Sequence, residues 1–264
     1  MKVVLFCGGL GMRLRDYADN VPKPMVPIGS RPILWHLMKY YAHFGHRDFI
    51  LCLGYKGDAI KRYFLNYEEY LTNDFILAEG GRTRELLGSD IHDWRITFVD
   101  TGVKSNIGER LVAVRRHLEG EAIFLANYAD GLTSLPLPDQ LAHFESQNAV
   151  ASFISVRPNL SYHFIETGDD GMVTGIRDIA DSGIQVNGGF FVFRQEIFDY
   201  IEPGEELVDE PFERLVRERR LIAYPYDGFW QAMDTAKDKE RIDALFEAGK
   251  PPWRVWKNGG RAAG

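Results

Sequence analysis

Short runs of β-branched and other apolar residues alternate with helical segments over the first half of the chain. The predicted strands are Lys2–Cys7, Asp48–Leu53, Arg95–Thr101 and Ala122–Ala126. Between them, helical spacing of apolar residues is found at Pro32–Phe44, Asp58–Leu71 and Gly108–Leu118. Strands that alternate with helices are joined by right-handed crossovers, which give a mostly parallel sheet covered on both faces. The alternation therefore predicts a Rossmann-like, doubly wound α/β fold.

The second half of the chain has a more mixed pattern. Strands are predicted at Ala149–Val156, at Asn187–Phe193 and in a hairpin formed by Tyr162–Glu166 and Met172–Arg177. Helices are predicted at Glu210–Arg219 and Asp238–Ala248. We therefore expect a mostly parallel mixed sheet with a small antiparallel extension in a domain of residues 1–250. A C-terminal arm and flexible tail, residues 251–264, would follow it.

Composition and charge exclude several classes of protein. The formal net charge of the 264 residues is −7, which argues against a nucleic-acid partner because such proteins are usually basic. Cys7 and Cys52 lie in apolar runs without metal-ligand spacing, so we expect two reduced core thiols. We recognise no secretory signal pattern and no apolar run long enough to span a membrane, and we expect a cytoplasmic protein without a membrane partner.

A glycine-rich segment, FCGGLGMRL at 6–14, follows the first predicted strand. Glycine lets backbone amides approach a phosphate closely, so such a loop can bind an anion. The spacing of Gly8, Gly9 and Gly11 matches neither the Walker loop nor the dinucleotide fingerprint. Taken alone, the segment is equally explained by an ordinary turn between a strand and a helix.

A lysine lies between two prolines shortly after this loop, in the sequence PKPM at Pro22–Met25. Proline restricts its own backbone and that of the residue before it, so the position of Lys23 would be held firmly. A fixed cation suits phosphate binding. A solvated lysine in an irregular loop is the alternative.

Taken together, these segments resemble the sugar-1-phosphate nucleotidylyltransferase family. The resemblance covers nearly the whole chain and also includes GYKGDAIKRYF (54–64), VDTG (99–102), YADG (128–131), VNGGFF (186–191), FWQAMDTAKD (229–238) and PPWRVW (251–256). Within the family, PILWHLM, the NYEEYL region and the PPW segment are most similar to the glucose-1-phosphate cytidylyltransferase subfamily.

The resemblance implies transfer of a nucleotidyl group from an NTP, with CTP favoured, to a sugar 1-phosphate or related phosphorylated small-molecule acceptor, with release of pyrophosphate. It implies Mg²⁺ as the cofactor and a homo-oligomer. The implied catalytic residues are Arg13, at the β- and γ-phosphates, and Lys23, near the α-phosphate. The implied nucleotide-binding residues are Gly8, Gly9, Leu10, Gly11, Met12, Arg110 and Asp130. The implied metal ligands are Asp130 and Asp234, and the implied acceptor-binding residues are His163, Arg177, Ile179, Asn187 and Gly188.

Four positions depart from the family pattern. Met12 replaces a hydroxyl residue in the loop, and Ile107 replaces another beside the nucleotide. Ile179 falls at or near the position of a lysine that contacts the sugar phosphate, and the bulky residues 162–164 replace a small glycine. The acceptor side is thus predicted to have changed most. UTP, dTTP or GTP as the nucleotide, and a non-catalytic nucleotide or sugar-nucleotide sensor, are the alternatives.

Overall fold

The computed structural model describes residues 1–9, 21–158, 163–179 and 183–256. The strands are β1 (Lys2–Phe6), β2 (Pro27–Ile28), β3 (Arg31–Pro32), β4 (Asp48–Leu53), β5 (Phe75–Ala78), β6 (Thr83–Leu86), β7 (Arg95–Asp100), β8 (Ile123–Tyr128), β9 (Gly131–Thr133), β10 (Ala151–Val156), β11 (His163–Thr167), β12 (Val173–Asp178), β13 (Val186–Asn187), β14 (Phe191–Arg194), β15 (Leu221–Pro225) and β16 (Trp230–Ala232). The helices are α1 (Ile33–His43), α2 (Gly57–Leu65), α3 (Ile107–Ala113), α4 (Leu137–Glu145), α5 (Glu210–Arg217) and α6 (Ala236–Glu247).

The central sheet has the strand order β13-β10-β14-β8-β1-β4-β7, with β15 paired to β10. Strands β8, β1, β4 and β7 run parallel, whereas β14 pairs antiparallel with both β8 and β10. The predicted α/β fold with a mostly parallel mixed sheet is therefore confirmed. The predicted hairpin is also present, as β11 and β12.

Hydrophobic cores cover both faces of the sheet, as the unbroken apolar strands require. One core joins Val3 and Leu5 of β1 to α1, α4 and α6. The other joins Val4 and Phe6 of β1 to α3 and α5. Alternate residues of β1 thus face opposite cores, and both cysteines are buried free thiols, as predicted. None of the described helices is long and apolar enough to cross a bilayer.

Some predicted elements are shorter or interrupted in the structure. The helix predicted over Gly108–Leu118 is α-helical only as far as Ala113, and a 3₁₀-helix follows at Arg115–Leu118. The helix predicted to reach Leu71 ends at Leu65, where the Asn66 amide side chain donates to the Arg62 carbonyl and terminates the turn. The strand predicted over Asn187–Phe193 is broken between β13 and β14. Gly189 and Phe190 have φ values of 74° and 52°, a left-handed conformation that a continuous strand does not contain.

Several elements had not been predicted. The sequence pattern does not indicate the β5–β6 hairpin, the helix α4 or the strand β15. The three-residue strands β9 and β16 pair across about a hundred residues of chain, with Trp230 opposite Thr133 and Ala232 opposite Gly131. Strands this short carry too little alternation to be recognised, and their pairing is set by tertiary contacts.

The segment after α6 packs against its own chain. Trp253 is 1% exposed and its indole N–H donates to Nδ1 of His36 on α1, at 3.4 Å. Trp256 is also buried and meets the ring of Trp35 edge-on. Both tryptophans thus fold back onto their own chain.

Candidate functional site

The candidate site lies at the carboxyl edge of the sheet, where the chain reverses direction. Strand β1 lies between β4 and β8 and is parallel to both. The sheet runs from β1 through β4 to β7 on one side and continues with β8 on the other, so the strand order reverses at β1. Such a point opens a crevice beyond the strand ends, and ligands bind there in open α/β sheets. Gly8 and Gly9 follow β1 at this point, and Asp130 follows β8.

Lys23 is held at the rim of the crevice by a single turn of 3₁₀-helix, Lys23–Met25. The backbone N–H of Met25 donates to the carbonyl of Pro22 at 2.7 Å, and that of Val26 donates to the carbonyl of Lys23 at 3.1 Å. Pro22 and Pro24 are buried while Lys23 is half-buried. The two prolines therefore fix the backbone from which the lysine side chain projects.

The β9–β16 ribbon brings the two predicted metal ligands together. Asp130 immediately precedes β9, and Asp234 follows β16 by two residues. Because Ala232 pairs with Gly131, the ends of the two strands coincide, and the Met233 N–H donates to the Asp130 carbonyl at 3.0 Å. One short antiparallel pairing thus brings together two aspartates that are far apart in the sequence.

Both carboxylates meet the ammonium of Lys23. Its Nζ lies 2.6 Å from Oδ1 of Asp234 and forms a short ion pair with Oδ2 of Asp130. Burial disfavours the charged form of Lys23, but the attraction of the two carboxylates outweighs it and raises the lysine pKa. The cluster carries one positive and two negative charges.

The residues of this cluster fit a magnesium site. Two carboxylates converge on one cation, the Lys23 ammonium, which stands in for the ion. Mg²⁺ is usually held by one or two carboxylates together with substrate phosphates, so a pair of aspartates is a sufficient protein contribution. Within the described ranges, no group of three or more His, Cys, Asp or Glu residues could hold a metal without a substrate.

Arg110 lies beneath the glycine loop and is only 1% exposed. Its Nη1 donates to the Thr101 hydroxyl at 2.7 Å and to the Leu53 carbonyl at 3.2 Å. A Cβ added to Gly8 would lie 2.1 Å from that Nη1, so the loop approaches the guanidinium as only glycine allows. Burial lowers the pKa of Arg110, which nevertheless remains charged at neutral pH. Its charge is thus placed directly against Gly8, at the start of the segment predicted to bind phosphate.

The predicted acceptor residues fall into two groups. Asn187 and Gly188 belong to the sheet, where the Asn187 side chain accepts from the Gly189 N–H at 2.9 Å and turns the chain. His163, Arg177 and Ile179 belong to the separate β11–β12 hairpin or lie just beyond it, and the first two are exposed. The Arg177 guanidinium forms a short ion pair with Glu166 on the facing strand. The predicted residues Leu10, Gly11, Met12 and Arg13 lie outside the described residues.

Residues that hold the site in place were missed by sequence reasoning. Asn127 accepts from the N–H groups of Tyr128 and Phe190, at 2.9 and 3.0 Å, and so joins β8 to the turn after Asn187. Trp230 donates from its indole N–H to the Gly188 carbonyl at 2.8 Å. Asp238 caps α6, and here a signal existed, because Thr-Ala-Lys-Asp has the spacing of a capping box.

Comparison with known proteins agrees with this geometry. Residues 2–238 match the family model described as nucleotidyl transferase, which covers most of the chain. The chain belongs to the nucleotidyl transferase family. The resemblance inferred from the motifs is therefore confirmed, and the protein is a nucleotidyltransferase.

Several nucleotidyl transferases are similar to this chain over its full length. It is 36% identical to the probable glucose-1-phosphate cytidylyltransferase of Bacillus subtilis, covering 97% of this chain and all of that protein. The same identity and coverage are found with the glucose-1-phosphate cytidylyltransferase of Salmonella typhi. A crystal structure of a putative glucose-1-phosphate thymidylyltransferase from Bacillus anthracis, in complex with a sucrose, superposes with a TM-score of 0.67 at 15% identity and covers 98% of both chains. This last likeness concerns the fold alone.

Proposed function

We propose that this nucleotidyl transferase is a Mg²⁺-dependent cytidylyltransferase that couples CTP to a sugar 1-phosphate, with glucose 1-phosphate as the first candidate. The observation that carries the proposal is the meeting of Lys23 with Asp130 and Asp234 at the switch point of the sheet. The two relatives at 36% identity are named glucose-1-phosphate cytidylyltransferases, which favours CTP over UTP, dTTP and GTP.

The reaction depends more on neutralising negative charge than on transferring a proton. A phosphate oxygen of the acceptor attacks the α-phosphorus of CTP, the bond between the α-phosphorus and the bridging oxygen breaks, and pyrophosphate leaves. The acceptor oxygen is already ionised near neutral pH, so the site needs no strong general base. It must instead bring two polyanions together and stabilise the charge on the transferring group.

The residues of the cluster would divide this work. Lys23 would donate hydrogen bonds to the α-phosphate and the incoming acceptor phosphate, while Arg13 would bind the leaving pyrophosphate. The amides of Gly8 and Gly9, with Arg110 beneath them, would hold the nucleotide. Asp130 and Asp234 would hold Mg²⁺, which when bound neutralises charge on the triphosphate.

The acceptor would bind on the side of β13. Asn187 and Gly188 would meet the sugar, and the turn they begin is held by Trp230 and Asn127. The changes at His163 and Ile179 make the identity of the sugar the open part of the proposal. The expected cytoplasmic location and homo-oligomeric state belong to the same proposal.

A matrix of substrates tests the function. Pyrophosphate release would be measured with CTP, UTP, dTTP and GTP, each combined with glucose, galactose and mannose 1-phosphates, with Mg²⁺ and with excess EDTA. We expect CTP with a hexose 1-phosphate to give a kcat/KM at least about tenfold above that of any other nucleotide, a difference of about 1.4 kcal/mol. EDTA should abolish the release. A higher rate with another nucleotide would overturn the choice of base.

The same matrix separates an enzyme from a sensor. A nucleotide that raises the melting temperature in the presence of Mg²⁺ binds the folded state. Stabilisation by CTP without pyrophosphate release from any acceptor would show binding without turnover and would contradict a catalytic role.

A further inference from the structure

We infer that Asp238 is a positioning residue for Asp234. Its carboxylate fixes the backbone turn from which the Asp234 side chain reaches Lys23. The inference rests on the proposed function, because it requires Asp234 to act as a metal ligand. It adds to that function a residue that contacts neither substrate nor metal.

The Asp238 carboxylate accepts four hydrogen bonds. Its Oδ2 accepts from the backbone N–H groups of Asp234 and Thr235, at 3.1 and 2.8 Å, and from the Thr235 hydroxyl at 2.8 Å. Its Oδ1 accepts from Nε2 of Gln231, at 3.1 Å. One half-buried carboxylate thus joins the start of α6, the turn before it and the strand β16.

These contacts exceed what a helix cap requires. The capping box consists of the reciprocal bonds between Thr235 and Asp238, and it satisfies the first N–H groups of α6. The bonds to the Asp234 N–H and to Gln231 are additional. Gln231 is 2% exposed and lies in β16, the strand whose pairing with β9 sets the position of Asp130. Asp238 therefore links the backbone of Asp234 to β16, the strand that pairs with β9 directly after Asp130.

Asp234 depends on this support more than Asp130 does. The Asp234 side chain is 49% exposed, against 23% for that of Asp130, so surrounding side chains restrict it less. Its direction is then set mainly by its backbone, and the backbone N–H is bonded to Asp238. Hydrogen bonds that orient a metal-binding carboxylate are worth about ten- to a hundredfold in metal affinity or activity.

An asparagine at position 238 would not reproduce these bonds. It has a single acceptor oxygen, so its amide nitrogen must face either the Gln231 side-chain amide or the three donors at the turn. In either orientation a donor faces a donor. The turn would lose part of its support while the size of the side chain stayed the same.

The experiment compares Asp238→Asn with Thr235→Ala in the full-length protein. Thr235→Ala weakens the cap of α6 but leaves Asp238 to accept from the Asp234 N–H, so it is the control for a purely structural role. Steady-state rates with CTP and glucose 1-phosphate would be measured over a range of Mg²⁺ concentrations. Mn²⁺ binding in the presence of CTP, followed by electron paramagnetic resonance, would serve as a readout that needs no turnover.

We expect Asp238→Asn to raise the half-saturating Mg²⁺ concentration and weaken Mn²⁺ binding by about tenfold, and to lower kcat by at least as much. The KM for the acceptor should change less than about twofold in the same comparison, and Thr235→Ala should keep the wild-type metal dependence. Equal behaviour of the two variants would overturn the inference.

Two further variants keep the outcomes separate. Asp234→Asn tests the metal role itself: if its metal dependence equals that of wild type, the proposed metal site fails, whatever Asp238 does. Gln231→Leu serves if Asp238→Asn does not fold, because it removes the bond to Oδ1 and keeps the three bonds to Oδ2, although it also removes the bond from Gln231 to the Ala232 carbonyl. It should weaken Mn²⁺ binding by a smaller factor, and unchanged binding would also contradict a positioning role for Asp238.

Discussion

Two clusters among the described residues each join a cation to aspartate, and they differ in what else the cation contacts. The site cluster consists of Lys23, Asp130 and Asp234. Its ammonium bonds to the two carboxylates, whose side chains are 23% and 49% exposed. The second cluster, the Arg31 anchor, comprises Arg31, Asp90, Lys39, Tyr63, Tyr67 and Thr72 and lies between α1 and the segment that follows α2.

In the Arg31 anchor, uncharged groups accept the hydrogen bonds that both terminal nitrogens of the guanidinium donate. Its Nη2 donates to the Glu68 carbonyl and the Thr72 hydroxyl, both at 2.7 Å, and its carbon lies 4.1 Å from the centre of the Tyr67 ring. Asp90 accepts from the Tyr67 hydroxyl at 3.0 Å and is shared by Arg31 and Lys39. The anchor thus holds the start of α1 against the segment that follows α2.

The balance of charge separates the two roles. In the anchor, one carboxylate pairs with two cations, and hydroxyl, carbonyl and aromatic groups contribute further contacts. In the site cluster, one cation serves two carboxylates that remain partly open to solvent. An excess of accessible carboxylate leaves capacity for a further cation, whereas the anchor, with two cations to one carboxylate, does not. Buried ion pairs in the same fold can therefore be sorted by their surplus charge.

The largest expected effect is on activity and concerns Asp130→Asn. The substitution removes a proposed metal ligand and leaves side-chain volume unchanged, so kcat/KM with CTP and glucose 1-phosphate should fall about a thousandfold, or about 4 kcal/mol. The free energy of unfolding in urea should change by less than about 1 kcal/mol, because the ion pair with Lys23 is partly exposed. A loss of activity that merely followed a loss of folded protein would contradict the assignment.

The opposite result is expected for Asp90→Asn in the anchor. It leaves Arg31, which is 2% exposed, without its carboxylate, and breaking a buried pair in this way costs about 3 kcal/mol of stability. The kcat of the folded variant should equal that of wild type. Urea denaturation and steady-state rates on the same preparation measure both quantities. A selective fall in kcat would show that the anchor is part of the site.

His36 extends the comparison to a buried base that has neutral partners. Burial lowers its pKa to about 4, whereas two carboxylates raise the pKa of the half-buried Lys23. The His36 ring bonds to the Ile28 carbonyl at 3.1 Å and to the Trp253 indole. These contacts require the neutral ring, so protonation would break the link between α1 and the C-terminal segment.

The pH dependence of stability follows from this shift. As pH falls below about 6.5, the unfolded state takes up the proton first, so the free energy of unfolding decreases until about pH 4, by about 3 kcal/mol in total. Above about pH 6.5 the full stability is present. Urea denaturation of His36→Gln should show a shallower decrease. Burial also lowers the pKa of His46 to about 4, which adds a decrease of its own, so the comparison is made in a His46→Gln background. Equal slopes for wild type and His36→Gln would contradict the link.

Periodic and locally encoded elements were predictable from the sequence. Strands β1, β4, β7 and β8 are rich in β-branched and other apolar residues, and they form the parallel half of the sheet as predicted. The break between β13 and β14 was not predictable, because it depends on Asn127, which accepts from Phe190 across 63 residues of chain. The β9–β16 pairing was missed for the same reason, since neither strand has a pattern of its own.

The candidate site was predicted in its chemistry and only partly in its geometry. Motif resemblance selected Lys23, Asp130 and Asp234, and the structure brings all three into contact. It did not indicate that the lysine would bond to both proposed metal ligands, because that contact depends on the β9–β16 register. Nor did it indicate that Gly8 is packed against Arg110, a constraint that becomes visible only in three dimensions.

The smallest expected effect concerns Lys23→Gln and addresses the surplus charge directly. The Lys23 ammonium is within hydrogen-bond distance of both carboxylates, and a Mg²⁺ ion held by them would lie close to the same point. Two cations repel strongly at such a distance. Mg²⁺ alone should therefore bind weakly. Substrate phosphates should favour its binding, because they accept hydrogen bonds from the Lys23 ammonium in place of the two carboxylates. Without nucleotide, Lys23→Gln should bind Mn²⁺ about tenfold more tightly than wild type, as measured by electron paramagnetic resonance.

The matched control for this prediction is Lys39→Gln in the Arg31 anchor. The Lys39 side chain is 18% exposed, close to the 16% of Lys23, and it also pairs with an aspartate. Its removal should leave Mn²⁺ binding unchanged, because Asp90 remains bonded to Arg31, Tyr67 and Thr72. Tighter binding in both variants would mean that total protein charge governs affinity. Unchanged binding in Lys23→Gln would contradict the prediction, because it would mean that the lysine and the metal do not compete for the two aspartates.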